Sequence, residues 1–479
     1  LHEFKFDDRI LTFPSSDDIH FPTLTVHQTL SFAAASRTPS ETRRIDAEGQ
    51  QLSRSQYTQA FVDILATILG LKHTFNTKVG NDVIRGVSGG ERKRVTVAET
   101  LAARAKVALF DNSSRGLDSS TALEFVHSLR IGADILKVSV AASIYQAGES
   151  LTDLFDKVLV IHDGQQIYYG RLTEAVSYFE RLGFKRTPRQ TTADFLVACS
   201  SGEPAATQLS EDFANIPITS QDQRQAWLAS KEAAELRILV DGRLNSLQSS
   251  EDDSKVGIAK EMAQARKQDK AKHTRTSSIY TISITMQVRQ AIRRRYQIAV
   301  GDPSTLIVTA AVSIFQALII GSVFVQLPAN TSAYFSRGGV LFTALLFNSL
   351  QSMSEITKGY AQKPIISRHR RLAFIHPAAD AFADTLLDLP IRLFSLIPFI
   401  IILYFMAGLA VFADQFFVFC GILVLTSFVL AAFFRMLAAI FKEQSAATMV
   451  AGIAVIDMVL YTGYAIPRPS MVIWWKVST

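Results

Sequence analysis

Ser88-Gly89-Gly90-Glu91 is the stretch whose residue types and spacing point most directly to chemistry. A serine three residues ahead of a glutamate marks a helix start, with the hydroxyl capping a backbone N–H and the carboxylate reaching back to cap another. Taken alone, the pattern is explained as well by an ordinary helix start as by a ligand site. The two glycines add something a cap does not need. Lacking Cβ atoms, they let a phosphate approach the backbone, and the first turn of a helix offers it unpaired N–H groups. Downstream, Lys106-Val107-Ala108-Leu109-Phe110-Asp111 is an apolar run ending in a carboxylate. An aspartate there can hold Mg²⁺ through its hydration shell. Arg115-Gly116-Leu117-Asp118 follows at once. Each piece is common by itself, whereas the three in this order and spacing are specific.

Elements on either side must position these residues. Val107–Phe110 and Lys157–Ile161 read as short buried strands, and Gln51–Leu71 as a helix, which together suggest an α/β domain. Past about Gly202 the composition turns polar. Gln223–Leu247 has helical periodicity, and Ser249–Lys255 reads as an exposed link. Tyr280–Val300 carries Arg289, Arg293, Arg294 and Arg295 among apolar residues, as an amphipathic helix on a membrane surface would. Five apolar segments then follow: Ser304–Gln326, Gly339–Met353, Leu393–Ala413, Phe416–Ile440 and Ala446–Ile466. A membrane span needs about 20 residues, so the second is marginal. The expected organisation is residues 1–204 as a partial nucleotide-handling domain, 205–278 as a polar linker, 279–303 as the connecting helix, and 304–479 as a membrane domain of five helices.

The net charge of the 479 residues is +6, but the basic residues gather beside the apolar runs, so no nucleic-acid partner is expected. The cations of Lys358–Arg371 mark a cytosolic connection, Arg435 and Lys442 a cytosolic turn, and the cation-free Ala407–Asp414 an outside loop. Two cysteines, Cys199 and Cys420, imply no disulfide framework. Leu1–Ile10 is not a signal peptide and lacks an initiator methionine, and a truncated chain is expected. Asp457 lies inside the last apolar run, where a carboxyl group is costly and marks either function or a structural hydrogen bond. Asn330-Thr331-Ser332 is a sequon close to the membrane, and no glycan is expected on it.

Together, Val87-Ser88-Gly89-Gly90-Glu91-Arg92-Lys93-Arg94, the strand ending in Asp111, and Gly116-Leu117-Asp118 resemble the signature motif, Walker B motif and D-loop of ATP-binding-cassette (ABC) proteins. His20–Val26, Thr77–Asn81, Asp111–Asp118 and Tyr145-Gln146-Ala147 look like the first cassette of fungal pleiotropic drug resistance transporters, of the G subfamily. His376–Asp380 and Tyr461–Pro467 are similar to that family's membrane half. The resemblance implies an α/β P-loop-type nucleotide-binding domain, truncated at its N-terminus, followed by an all-α polytopic transmembrane domain of ABC-2 type. It also implies ATP and Mg²⁺ as cofactors, Asp111 as the weak Mg²⁺ contact, and a multi-pass protein of the plasma membrane with a cytosolic N-terminal domain. Implied partners are a second cassette with its membrane half, membrane lipid, and a hydrophobic small-molecule substrate.

Departures from the family pattern matter equally. No G-x-x-x-x-G-K-[S/T] occurs. Asn112 stands where an active cassette places a catalytic glutamate, and an amide cannot act as general base. Tyr145 replaces the switch histidine, and Ser16 occupies the Q-loop position. Asn112 and Tyr145 are themselves typical of the family's first cassette. The expectation is a cassette without a catalytic residue of its own, whose signature serves the partner's site. The complete protein would export hydrophobic or xenobiotic compounds. The alternatives are a truncated non-catalytic fragment or partner subunit, or a lipid translocase.

Overall fold

The computed structural model describes residues 11–12, 18–46, 48–112, 114, 118–144, 147–201, 208–209, 216–248, 268–275, 277–328, 330–462 and 464. Ser16, Gly116, Leu117, Tyr145, the expected link Ser249–Lys255 and the end of the last apolar run at Ile466 lie outside the described residues. The chain divides into two compact units. One comprises Leu1–Asp18, Thr25–Ser283 and Arg371–Phe374, and the other Ile19–Leu24, Ile284–Arg370 and Ile375–Thr479.

In the first unit, β1 (Leu11–Thr12), β2 (Val107–Phe110) and β3 (Ser139–Ala142) form a parallel sheet with β2 in the centre. Parallel strands need crossovers, and α4 (Ser119–Leu136) supplies the one between β2 and β3. Before it come α1 (Val26–Ser36), α2 (Arg54–Ile68) and α3 (Gly89–Ala102). The inner face of α3, with Val95, Val97, Ala98, Leu101 and Ala102, is fully or nearly fully buried. A second core forms on the hairpin of β4 (Lys157–His162) and β5 (Gln165–Arg171). Tyr168 of β5 meets Tyr178 at 5.1 Å and Trp227 at 5.3 Å between ring centroids. Trp227 belongs to a helix at Ser220–Leu228, and the next helix is Lys231–Gln248. The expected single helix over Gln223–Leu247 is thus two. The N–H of Ala229 closes the first, and the Ser230 hydroxyl accepts from the Ala233 N–H at the start of the second.

The second unit is helical: α10 (Ile284–Gly301), α11 (Pro303–Val323), α12 (Tyr334–Ser352), α13 (Ser354–Arg371), α14 (Pro377–Met406), α15 (Ala413–Ile440) and α16 (Gln444–Tyr461). These labels run in chain order after five shorter helices of the first unit. Among the described residues four helices, not five, are long and apolar enough to cross a membrane: α11, α14, α15 and α16. The marginal second segment is helix α12, and its polar residues face inward. Asn348 donates to the Leu423 carbonyl at 3.0 Å, and Gln351 to the Ser313 hydroxyl at 3.2 Å. The cation-rich connection Lys358–Arg371 is also helical, as most of α13.

Charge pairing explains a second departure from expectation. On α10 only Arg289 and Arg293 are exposed, whereas Arg294 and Arg295 are buried and both bind Asp380 of α14. Arg295 continues to Asp384 at 3.2 Å, and Lys358 reaches Asp384 and Asp388 at 3.5 and 3.7 Å. Arg392 and Arg435 meet at Glu355, at 2.7 and 2.8 Å, and Arg435 also holds Asp388 at 2.7 Å. Arg435 therefore lies inside α15 in a network, not on a turn. Buried ions of opposite sign persist only when paired this closely. On the sequon, the Asn330 side-chain oxygen accepts from the Ser332 hydroxyl and the Ala333 N–H.

Candidate functional site

The signature segment is positioned by the loop in front of it. Gly80 has φ +71° and passes Gly86 so closely that a Cβ on either would sit within 2.6 Å of the other's backbone. The Val87 N–H then donates to the Lys78 carbonyl at 3.1 Å. This closed loop delivers Ser88 in extended conformation (φ −63°, ψ 162°) as the N-cap of α3. The capping box expected from the sequence is present. The Glu91 N–H donates to Ser88 Oγ at 3.3 Å, and the Ser88 N–H donates to Glu91 Oε2 at 2.8 Å.

His73, which no motif marked, completes the arrangement with Nε2 2.9 Å from Glu91 Oε1. Burial pushes the Glu91 carboxyl upward, but hydrogen bonds from the Ser88 N–H, His73 and the Ser88 hydroxyl, with the His73 charge, outweigh it and hold it below its ordinary value. The cap consumes one lone pair of Ser88 and leaves its proton to donate. The first-turn N–H groups of Gly89 and Gly90 have no carbonyl to reach within the helix.

The two glycines differ. A Cβ on Gly89 would meet nothing within 4 Å, so the exposed helix start is open. A Cβ on Gly90 would sit 2.5 Å from Thr121 Cγ2, so Gly90 is needed for packing against α4. The neighbouring cations are turned to other partners: Lys93 to Asp18 at 3.6 Å, Arg94 to Glu124, and Arg92 toward Asp82 at 4.0 Å.

The end of β2 forms a separate cluster. Asp111 and Asn112 follow the strand directly, and Asn112 takes φ +47°, a left-handed conformation that asparagine tolerates better than most residues. Ser143, just past β3, binds both: its hydroxyl donates to Asp111 Oδ1 at 2.8 Å, and its Oγ accepts from the Asn112 N–H at 2.6 Å. Sequence reading missed Ser143 because nothing marks a lone serine before the strands pair. Asp118 caps α4, and Thr121 hydrogen bonds hold its carboxyl below the ordinary range. The set Ser88, Glu91, His73 and the set Asp111, Asn112, Ser143 share no residue. Among the described residues no group of three His, Cys, Asp or Glu could hold a metal ion, so Asp111 is a single carboxylate toward one.

Residues 4–115 match the family model described as ABC transporter, and residues 286–478 match that of the ABC-2 type transporter. The ABC multidrug transporter atrI of Aspergillus fumigatus is 41% identical over 477 residues, covering 99% of this chain. The brefeldin A resistance protein of Schizosaccharomyces pombe is 40% identical over 98% of it, and the ABC-type transporter eriD of Hericium erinaceus is 40% identical over 96%. The chain belongs to the ABC transporter family. It carries an ABC nucleotide-binding domain followed by a helical membrane domain of the ABC-2 type, as the motifs and apolar runs led one to expect. It spans 31% of the length of each of these three relatives. For an ABC chain the open helix start at Ser88–Gly89 is the signature, and the Asp111–Ser143 cluster is the Walker B end.

Proposed function

We propose that this chain lends the signature face of its cassette to a nucleotide site completed by a second cassette, and that its own Walker B end does no catalysis. The observation that carries this reading is the contrast at the two sites. Ser88 and Gly89 present an uncommitted hydroxyl proton and N–H donors on an open helix start, whereas Asn112 has no basic group to offer. ATP with Mg²⁺ would supply the phosphoryl group whose hydrolysis drives transport. Toward it Ser88 would donate a hydrogen bond, Gly89 would admit the phosphate, and Glu91 would hold the cap rigid. Asp111, with Gly116, Leu117, Asp118, Tyr145 and Ser16 at the family's motif positions, would line the non-hydrolysing site.

In this reading the second unit, with the second membrane half, exports hydrophobic compounds across the plasma membrane, with the first unit in the cytosol. Multidrug transport named for the relatives supports this. The domain layout is 1–204, 205–278, 279–303 and 304–479. The test is phosphate release by the purified chain alone with ATP and Mg²⁺. Only background release is expected, and vanadate-sensitive turnover that survives removal of contaminants would overturn the reading.

A further inference from the structure

Carboxylates of the helical unit are matched to cations with one clear exception. Glu355, Asp380, Asp384 and Asp388 each hold at least one arginine or lysine. Asp457 has no hydrogen bond or ion pair among the described residues, and it is exposed on α16. It lies about 20 Å along the helix from Gln444 at 1.5 Å per residue. A hydrocarbon core is about 30 Å thick, so this places it well inside. One side of α16, with Ala447, Ala451 and Val455, is buried in the bundle. The other side exposes Met449, Ile453, Ile456 and Leu460, and a Cβ on Gly452 would meet nothing within 4 Å.

An uncompensated carboxyl at membrane depth is expensive and is retained where something pairs with it. The unit matches its other carboxylates from within, so the missing partner of Asp457 comes from outside it. The carboxyl fixes the partner's charge, because a neutral group would leave the desolvated acid uncompensated. The aliphatic side chains and the adaptable Met449 around it fix the partner's body as apolar. A hydrated inorganic ion meets only the first requirement.

We propose that Asp457 is the charge-recognition residue for lipophilic organic cations, such as phosphonium, quaternary ammonium or protonated amine compounds with an apolar body, that reach α16 through the membrane. This rests on the export reading above and narrows its substrate class.

The test uses this chain in lipid nanodiscs, with tritiated tetraphenylphosphonium as the cationic probe and triphenylphosphine oxide as the uncharged one. Saturable phosphonium binding is expected for the native chain and for Asp457→Glu. It should weaken at least about tenfold in Asp457→Asn, as loss of one desolvated ion pair implies. Binding of the uncharged probe should be the same in all three, which also shows that the variants fold. Equal phosphonium binding by Asp457→Asn, with the uncharged probe still bound, overturns the proposal and leaves the export reading standing. Binding of neither probe by the native chain counts against both. Cross-linking between copies through Asp457→Cys, with Cys199 and Cys420 replaced and the cation excluded, assigns the face to a second copy and also overturns it.

Discussion

The signature start and the Walker B end are built from the same kinds of groups and leave them in opposite states. At Ser88–Glu91, two side chains cap a helix and still leave donors facing open space. At Asp111–Asn112, the Ser143 hydroxyl occupies one oxygen of the carboxylate and the following N–H, and the next side chain is an amide. A cap that leaves its donors free is suited to an anion brought by another molecule. A strand end tied to its neighbour strand without a base is suited to holding shape.

The largest effect should come from closing the open end. Gly89→Asp places a carboxylate where the helix start would receive phosphate. In an assembly of this chain with a hydrolytic second cassette, turnover should fall by at least about 10²–10³, the cost of losing a transition-state donor. The chain's fold should survive, because a Cβ at Gly89 meets nothing within 4 Å.

Gly90→Ala sharpens the contrast from the packing side. Its new Cβ would sit 2.5 Å from Thr121 Cγ2, so the nucleotide-binding unit should lose about 1–3 kcal/mol by overpacking, read as an earlier thermal unfolding transition. Adding Thr121→Ser, which removes that methyl, should recover most of the loss.

A smaller effect attaches to the cap. Because the folded Glu91 carboxyl titrates below its ordinary value of 4.5, its contribution is complete above that pH and is lost as the pH falls through the lower folded value. Glu91→Gln should remove this acid-side dependence at a cost of about 1 kcal/mol at neutral pH. An unchanged acid limb in the variant would show that the cap does not depend on the charge.

Much of this was readable in the sequence, for reasons specific to particular residues. The capping box and the strand Val107–Phe110 are local patterns, and both formed as read. His73 and Ser143 were not readable, since each acts on a residue far along the chain and belongs to no spacing. The arginines of α10 look like surface charges until Asp380 is folded against them, so half of an apparently solvated face is buried. Lys358–Arg371 looked like a connection because cations usually mark water. Its helix is compatible with them because Lys358 meets acids of α14, and buried Arg368 donates to the Ile19 carbonyl at 2.9 Å. Gly90 was read with Gly89 as a phosphate-approach position, because sequence cannot distinguish a glycine kept open from one kept small.

Asn112→Ala should have the smallest effect on catalysis. It should destabilise the chain slightly, by up to about 1 kcal/mol, because alanine is less at ease at φ +47°. Turnover should change less than about twofold, since the amide was never a base. The most direct test of the account is therefore steady-state phosphate release by the two-cassette assembly carrying Asn112→Ala, measured beside the same assembly carrying Gly89→Asp. The account predicts near-native release for Asn112→Ala and release at least about a hundredfold lower for Gly89→Asp. Comparable losses in the two variants would contradict it and assign the chemistry to the Walker B end of this chain.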